Sequence, residues 1–480
     1  MTKGMVFRRA CSDEPEVSLS QQVHHAPTPR RPMSARAALI GAVLTPALLL
    51  GSATSASAGV TGPWSTPVAL SATGADTVHV AEVRTAGNGD VVAATFRQSP
   101  GSAQTDLLIA IRPAGSAVWG APTVVDTLPT GTRNATLVPG PDGSLTLTWV
   151  KVAAAQNTIR TAALAPGATA FSAPVDIAAG ADYIAPSTAV GTGGRAVTTW
   201  LRQGDRITDV YVSERPAAGG AWSAPVKLDT TPAETLEGTL EPLVAPDGTA
   251  TVLWHENRAD GSSVIASDLA PGSGTWTTAR SLSGTSDAVV PRAAVAPDGS
   301  AVLSWLRTPA GAFGPEALDV LVRPAGSTQW GAPQKAADVD SAAASRPLIG
   351  PDGQITMVWR GYGANGFRIH ATTRSAATGT WSPATTVTNG YPRDEYDAEI
   401  GPDGSVHVLW TEQDDTGFSQ VVHYAGRTGG AWSAPAALMA QPSGVAEGHV
   451  AGGPAGRTTA VWQDAPDAVS GKVWSAGTGL

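Results

Sequence analysis

The sequence has a single cysteine, Cys11, and only 15% of its 480 residues are charged. A chain without further thiols cannot rely on disulfides, thiolate catalysis or cysteine-ligated metal sites. Low charge with near-neutral mean hydropathy argues against wholesale disorder and against a polytopic membrane protein. The net charge of −9 removes the usual electrostatic basis for binding DNA or RNA. We therefore expect no nucleic-acid partner.

Glycine, proline and tryptophan are abundant instead, with 54 Gly, 37 Pro and 15 Trp against 6 Phe and 6 Tyr. The glycines follow no three-residue period, which excludes a collagen-like chain. So many turn-forming residues indicate many short elements joined by tight turns. A helical repeat is excluded because no 3.6-residue hydrophobic period accompanies them.

Residues 33–58 have the layout of a secretory signal peptide. Arg36 supplies a positive start, residues 37–50 form a short apolar stretch, and Ala56-Ser57-Ala58 forms a small-residue cleavage site. The apolar stretch is shorter than the roughly 20 residues that span a bilayer. We predict a secreted protein that starts near Gly59 and keeps no membrane span after cleavage.

Residues 1–32 are polar and unpatterned. We interpret them as a non-native extension or a very long n-region, with Met33 as the alternative start. The mature part, residues 59–480, carries 25 basic and 37 acidic residues and no cysteine. Its preference for Arg over Lys, with abundant Ala and Gly, is typical of actinobacterial proteins.

Two recurring phrases organise the mature chain. The first is a small-residue stretch that ends in an aromatic residue, usually followed by Ser and Pro. Its aromatics are Trp64, Trp119, Phe171, Trp222, Trp276, Trp330, Trp381 and Trp432. The second is a turn, usually Pro-Asp-Gly, followed by a β-rich run that closes on an aromatic. Its aromatics are Phe96, Trp149, Trp200, Trp254, Trp305, Trp359, Trp410 and Trp462. Eight units of about 52 residues indicate a solenoid or a propeller.

The strand count within a unit decides between these two architectures. In the run after Pro-Asp-Gly, Ile355, Met357 and Trp359 form a bulky face while Thr356 and Val358 form a smaller one. A strand covered on both faces belongs to a sheet sandwiched between neighbours. Each unit reads as four antiparallel strands, because the Asp-Gly hairpin is followed by a third and a fourth strand. Radial repetition of such sheets gives a β-propeller.

The chain ends predict how the ring closes. Residues 63–70 carry the fourth-strand phrase, and residues 472–476 form a third strand that lacks its fourth. We therefore predict an all-β, eight-bladed propeller whose last blade combines both ends of a single domain, 59–480. Seven blades remain the alternative, because unit 1 has Phe96 for Trp and unit 3 has Thr192-Gly193-Gly194 for the turn. The phase aromatics are expected to pack between blades rather than bind ligand.

Candidate site residues lie where the units differ. The Pro-Asp-Gly turns share one side of the wheel, here called the turn face, and the more divergent loops share the other, called the variable face. One aligned position, expected at the entry of the first strand, holds Glu82, Thr136, Ser187, Glu241, Arg292, Arg346, Asp397 and His449. The candidates for ligand binding are Glu241, Glu256, Arg292, Arg307, Arg346, Arg360, Tyr391, Tyr396, Asp397 and Glu412.

These residue types suit an acidic ligand. Arg292 and Arg346, on neighbouring first strands, can grip a carboxylate or phosphate through bidentate hydrogen bonds. Paired carboxylates can perform acid–base chemistry on a glycosidic bond when they are correctly spaced. The alternative is that these polar groups are simply solvated and pair with one another around a wet channel. The acidic stretches at 338–340 and 412–415 lack the spacing of a calcium loop, and no metal or cofactor is predicted.

The repeat resembles those of secreted sialidase-like propellers and propeller lectins across residues 60–480. Sialidase repeats carry an Asp-box, Ser-x-Asp-x-Gly-x-x-Trp. Here Asp298 and Gly299 are adjacent and Trp305 lies six residues further on, so the Asp-box is absent. The resemblance implies three arginines for a substrate carboxylate, a Tyr/Glu nucleophile pair and an acidic Asp. No such motif is recognisable, so no catalytic residue is assigned.

Three functions remain open from the sequence. The first is a secreted binding protein for a glycan or another cell-envelope polymer, which uses the variable face. The second is a sialidase-like exo-glycoside hydrolase, and the third is a scaffold for protein partners. In each case we expect a monomer without cofactor.

Overall fold

The computed structural model shows an all-β, eight-bladed propeller of antiparallel sheets. The residues that it describes are 63–71, 76–129, 134–154, 156–204, 208–229, 240–258, 261–284, 287–308, 316–340, 342, 345–363, 366–413, 420–441, 445–464 and 472–478. Residues 1–32, predicted to be an extension or a long n-region, and residues 33–58, predicted to be a signal peptide, lie outside these ranges. Eight blades rather than seven are present, and the divergent units 1 and 3 each form a complete four-stranded sheet.

The blades follow the chain in order, each from its innermost to its outermost strand. Blades 1 and 2 are β2 (Thr77–Thr85), β3 (Val91–Gln98), β4 (Gln104–Arg112), β5 (Thr123–Pro129), then β6 (Ala135–Pro139), β7 (Leu145–Lys151), β8 (Asn157–Leu164) and β9 (Val175–Gly180). Blades 3 and 4 are β10 (Tyr183–Val190), β11 (Ala196–Gln203), β12 (Thr208–Arg215), β13 (Val226–Lys227), then β14 (Glu241–Val244), β15 (Ala250–Arg258), β16 (Gly261–Leu269) and β17 (Arg280–Ser281).

The second half of the wheel repeats this plan. Blades 5 and 6 are β18 (Ala288–Val295), β19 (Ala301–Arg307), β20 (Ala317–Arg323), β21 (Gln334–Asp338), then β22 (Ser345–Ile349), β23 (Ile355–Gly363), β24 (Gly366–Arg374) and β25 (Thr385–Thr386). Blade 7 is β26 (Pro392–Ile400), β27 (Val406–Gln413), β28 (Gln420–Thr428), β29 (Ala431–Trp432) and β30 (Ala436–Gln441). Blade 8 contains β31 (Val445–Gly452), β32 (Thr458–Asp464) and β33 (Lys472–Gly477). Short 3₁₀ turns at Thr192–Gly194 and Pro454–Gly456 replace the Pro-Asp-Gly turn in blades 3 and 8.

Both ends of the chain build blade 8, as predicted. The N-terminal strand β1 (Val68–Ala69) pairs antiparallel with β33. The amides of Ser65 and Leu70 extend this pairing by donating to the carbonyls of Gly477 and Val473, both at 2.8 Å. The first strand of every blade packs against the first strands of both neighbours, including β31 against β2. The ring is therefore closed, and these eight inner strands surround a central channel.

The Pro-Asp-Gly turns are built alike in their repeats, as blade 5 illustrates. Asp298 Oδ1 accepts hydrogen bonds from the Ser300 amide at 2.8 Å and the Ser300 hydroxyl at 2.7 Å. Gly299 adopts a φ of +89°, a conformation that side-chain-bearing residues rarely adopt. The motif is thus explained by hairpin geometry, which is why this side of the wheel varies little between units.

Aromatic residues of the second phrase form the core, as predicted. All eight are at most 2% exposed, including Phe96 in place of Trp in blade 1. The first-phrase aromatics are only partly buried. Four of those tryptophans lie beneath an arginine from the end of a third strand. In blade 5, for example, Arg323 Cζ lies 5.2 Å from the centroid of the Trp330 ring. The two phrases therefore differ in burial, which their shared aromatic character did not reveal.

Inner strands come in two lengths. Those of blades 2, 4 and 6 have four or five residues, whereas those of blades 1, 3, 5, 7 and 8 have eight or nine. Each long strand contains a register shift against the second strand of its blade. In blade 5 the shift lies between Val289 and Arg292, and Val290 takes a φ of +52° there. A β-bulge of this kind re-aims the side chain that follows it.

Candidate functional site

The aligned position predicted at the entry of the inner strands lies elsewhere in five blades. Glu241 does begin its strand, and Arg346 is second in its own. In blades 1, 3, 5, 7 and 8 the strand begins several residues earlier, and the aligned residue follows the bulge. The expectation of strand entry was wrong there because the bulge lets the backbone continue pairing beyond the irregularity.

Four of the candidates meet in two ion pairs within the channel. Arg292 Nη1 lies 3.3 Å from Glu241 Oε1, and Arg346 Nη2 lies 3.6 Å from Asp397 Oδ1. Each pair joins neighbouring blades, 4 with 5 and 6 with 7. The Arg346 side chain nevertheless remains 42% exposed and that of Arg292 27% exposed. Both arginine side chains are thus paired and still partly exposed to solvent.

The carboxylates of these pairs have opposite pKa shifts. Burial raises the pKa of Glu241, and the charge of Arg292 offsets this only in part. For Asp397, burial is outweighed by the charge of Arg346 and by the nearby His449, so its pKa lies well below the usual range. The Val450 amide also donates to Asp397 Oδ2 at 3.0 Å. Asp397 is therefore a fixed anion, whereas Glu241 is held less firmly in its charged form.

His449 links blade 8 to both neighbours. Its Nδ1 lies 3.5 Å from Glu82 Oε1 and 3.6 Å from Asp397 Oδ2. Burial disfavours the imidazolium, but the nearby carboxylates of Asp397 and Glu82 outweigh it and raise the pKa of His449. Glu82 also contacts Arg84 Nη1 at 2.8 Å. Blades 1, 6, 7 and 8 thus share one continuous charged network.

Two residues of this network, Arg84 and Glu399, were missed by the sequence analysis. They lie two positions after Glu82 and Asp397 on the same strands, so their side chains share the channel-facing side. Arg84 Nη1 and Glu399 Oε1 are 3.0 Å apart. The other blades have apolar residues at the corresponding positions, namely Val138, Ala189, Leu243, Ala294, Leu348 and Ala451. Two charged residues at a position that is apolar in the other six blades were the sequence signal that could have identified them.

Tyr396 is buried at the edge of this network. Its hydroxyl donates to the Val358 carbonyl at 3.1 Å, and its exposed fraction is 8%. Burial raises the pKa of the phenol. The side chain thus behaves as a packed, neutral tyrosine that bridges blades 6 and 7.

The candidates Glu256 and Glu412 occupy equivalent places at the ends of second strands. Each accepts a hydrogen bond from the indole nitrogen two residues earlier, Trp254 or Trp410, at 2.8 Å. Glu256 is 1% exposed. Glu412 Oε2 additionally lies 3.6 Å from His423 Nε2, and burial lowers the pKa of that histidine. One oxygen of each carboxylate is therefore occupied by a hydrogen bond from the core tryptophan.

Arg307, Arg360 and Tyr391 lie away from the Arg292–Glu241 and Arg346–Asp397 pairs. Arg307 Nε donates to Asp319 at 2.6 Å, which raises the pKa of the guanidinium. Arg360 is buried, with its Nε donating to the Pro392 carbonyl at 3.3 Å and its Cζ 3.9 Å from the Phe367 ring centroid.

Tyr391 precedes β26 and is 61% exposed. The guanidinium carbon of Arg368 lies 4.3 Å from the centroid of its ring. A cation stacked on an exposed aromatic ring forms a rigid amphipathic surface. Tyr391 is the candidate whose side chain is most open to solvent.

Neither a metal centre nor a membrane helix emerges from the described parts of the chain. Within those parts, no group of three or more His, Cys, Asp or Glu side chains is arranged to hold a metal ion. Among the same residues there is no helix with the length and hydropathy needed to cross a bilayer.

No known protein family and no curated protein sequence matches this chain. Similar solved structures include an ulvan lyase of family PL25 bound to -[GlcA(1-4)Rha3S]-, with 10% identity over 82% of this chain and 94% of the other and a TM-score of 0.47. The intramolecular trans-sialidase from Ruminococcus gnavus has 11% identity over 88% of this chain and 96% of its own, with a TM-score of 0.35. An α-L-arabinanase from Penicillium chrysogenum has 14% identity over 78% of this chain and 99% of its own, with a TM-score of 0.37. At this distance none of them transfers a function.

Proposed function

We propose that this protein is a secreted, non-catalytic binding protein for an acidic glycan or another acidic cell-envelope polymer, which enters the channel from the variable face. The observation that carries the proposal is the pair of partly exposed guanidinium groups, Arg292 and Arg346, on the neighbouring inner strands β18 and β22. Guanidinium groups bind carboxylate, sulfate or phosphate oxygens through two parallel hydrogen bonds.

The existing partners of these arginines support a binding role. Arg346 is 3.6 Å from Asp397, longer than a good charge-assisted hydrogen bond, and much of its side chain faces the channel. An acidic ligand group can therefore bind Arg346 without first breaking a short ion pair. Asp397 keeps its charge even when Arg346 turns to a ligand, because the Val450 amide and His449 also hold it.

The chemistry around Tyr396 favours binding over sialidase-like hydrolysis. A tyrosine nucleophile needs an adjacent carboxylate that takes its proton. The Tyr396 hydroxyl instead donates to a backbone carbonyl, and burial raises its pKa. Asp397, with a lowered pKa, is likewise unsuited to donate a proton at neutral pH. These three observations support binding rather than hydrolysis among the functions that the sequence left open.

The test is binding of acidic and neutral glycans on an array, followed by calorimetry with the best acidic hit. We expect Arg292→Ala combined with Arg346→Ala to weaken binding at least 100-fold, because each charge-assisted hydrogen bond contributes about 1.5–3 kcal/mol. Arg280→Ala is the matched control, since Arg280 pairs with Asp268 on the outer part of blade 4 and is 41% exposed.

A second variant pair guards against misfolding. Arg292→Lys with Arg346→Lys keeps both charges but loses the bidentate geometry, so we expect intermediate affinity with an unchanged melting temperature. Unchanged affinity of the folded double alanine variant, or equal binding of neutral glycans, would overturn the proposed anion recognition. Turnover of a fluorogenic sialoside by the wild-type protein would overturn its non-catalytic character.

A further inference from the structure

The channel has a second compartment on the turn face, separate from the Arg292–Arg346 pair. It is a cavity of about 590 Å³ to which all eight blades contribute. Its walls are largely apolar and include Val190, Val244, Val295, Ile349 and Ile400. Seven prolines in or next to the turns also line it, namely Pro139, Pro141, Pro246, Pro297, Pro351, Pro402 and Pro454. A cavity of this size and lining is typical of sites for small organic molecules.

Arg84 and Glu399 are the charged side chains that line this cavity. Arg84 Nη1 lies 2.8 Å from Glu82 Oε1, 2.8 Å from the Val83 carbonyl and 3.0 Å from Glu399 Oε1. A guanidinium Nη nitrogen carries two hydrogens. Three acceptors thus surround Nη1, and two of them are carboxylates that already pair with the positive charge of Arg84.

The balance of charge around Glu399 depends on pH. Glu82, Asp397 and Glu399 supply three carboxylates, whereas Arg84 and Arg346 supply two permanent positive charges. His449 contacts Glu82 and Asp397 and adds a charge only when protonated. His407, directly opposite Glu399 on β27, is neutral above its pKa of about 4. As the pH rises through the pKa of Glu399, about 7, and His449 loses its proton, the three carboxylates outnumber the two permanent positive charges and the region attracts a cation.

We propose that this cavity binds a small organic cation whose ammonium or amidinium group contacts Glu399 and whose apolar body lies among the valine, isoleucine and proline side chains. An anionic ligand is disfavoured because Arg84 already faces two carboxylates. The site lies on the face opposite to the proposed glycan site and holds a ligand of opposite charge.

Binding to this site is expected to release a proton. Burial raises the pKa of Glu399 to about 7, although the charge of Arg84 opposes the shift. A bound cation stabilises the carboxylate form, so affinity rises with pH up to about 7 and then levels off. An alkylamine stays protonated over this range because its pKa is about 10. We expect roughly tenfold weaker binding at pH 6 than at pH 8.

The experiment uses three matched probes, 4-phenylbutylamine, 4-phenylbutanol and 4-phenylbutyrate, titrated into the full chain by calorimetry. We expect the amine to bind saturably, the alcohol to bind at least tenfold more weakly and the acid not to bind. Titration of the amine in buffers of different ionisation enthalpy at pH 7 should show release of about half a proton. Equal affinity for amine and alcohol, or no saturable binding of the amine, would overturn the proposal.

Two variants locate the site. Glu399→Gln should weaken amine binding at least tenfold and leave its affinity nearly independent of pH between 6 and 8. Val295→Lys, on a wall formed by another blade, should abolish amine binding because its own ammonium occupies the cavity. Glu316→Gln is the control, since Glu316 is exposed and outside the cavity. Unchanged binding and pH dependence in folded Glu399→Gln would refute the assignment.

Discussion

His407 gives the propeller a stability that depends on pH, and replacing it by glutamine should remove part of that dependence. The imidazole is fully buried in blade 7. Its Nε2 is 2.8 Å from the Ser405 hydroxyl, which itself donates to Asp403 at 2.6 Å. Ser405 must therefore accept from Nε2–H, which leaves Nδ1 as the acceptor for the hydroxyls of Tyr424 and Thr458, both at 2.9 Å. This network fits the neutral ring.

The magnitude follows from the two pKa values of this histidine. Burial lowers the pKa of His407 to about 4, against 6.5 for an ordinary histidine. Its folded pKa is depressed, so its contribution is complete above pH 6.5 and is lost as the pH falls toward 4, where the unfolded chain binds the extra proton. The loss amounts to about 3 kcal/mol, since one pKa unit corresponds to about 1.4 kcal/mol.

The assay is urea unfolding at fixed temperature at pH 7.5, 5.5 and 4. We expect the free energy of unfolding of the wild type to fall about 3 kcal/mol more over this range than that of His407→Gln. His449→Gln provides a contrast of opposite sign. The pKa of His449 is raised, so its stabilisation is complete below pH 6.5 and is lost as the pH rises through its folded pKa. Parallel pH profiles for the wild type and His407→Gln would refute this explanation.

Two further substitutions test the packing of the blades. Trp305→Ala should lower the free energy of unfolding by about 3–5 kcal/mol and yield mostly insoluble protein, because Trp305 is 1% exposed. Trp222→Ala, at a partly exposed ring, should lower it much less, and equal losses of stability in thermal melts would contradict this difference. Arg323→Leu should change the free energy of unfolding by less than about 2 kcal/mol, since blades 2 and 4 have Leu164 and Leu269 at the position equivalent to this buried arginine. A loss above about 3 kcal/mol in urea unfolding would show that the hydrogen bond from Arg323 Nη1 to the Thr251 hydroxyl, at 3.1 Å, is essential.

The architecture was predictable because its determinants are local and repeated eight times. The Asp-Gly turns, the alternation in runs such as residues 355–359 and the split phrase at the two chain ends each specify a piece of backbone without reference to distant residues. Their regular spacing then leaves a closed ring as the consistent solution. Even the divergent turn Thr192–Gly194 did not disturb the count, because its blade still supplies four strands.

The site was predictable only in part, because it depends on features that differ between repeats. Alignment through the turn found Glu241, Arg292, Arg346 and Asp397, which the fold brings into two pairs. It did not reveal the bulges, because a register shift comes from pairing between strands rather than from composition.

Residue type alone also did not show what each side chain contacts. Glu256 and Glu412 have the chemistry of ligand-binding carboxylates, yet each accepts a hydrogen bond from a neighbouring indole. Arg84 and Glu399 lay only two residues from predicted positions. They occupy the next channel-facing position along the same strands, where the other six blades have apolar residues, so an alignment of the preceding position does not include them.

The shared construction of blade 8 has a consequence for the order of events during synthesis. The segment around β1 is made first but has no partner until β33, about 400 residues later, leaves the ribosome. The inner face of blade 1, with Val78 and Val80, likewise awaits β31 and β32. A growing chain therefore carries two uncovered flanks until β31–β33 have been made, and apolar residues such as Val78 and Val80 lack their native contacts during that interval.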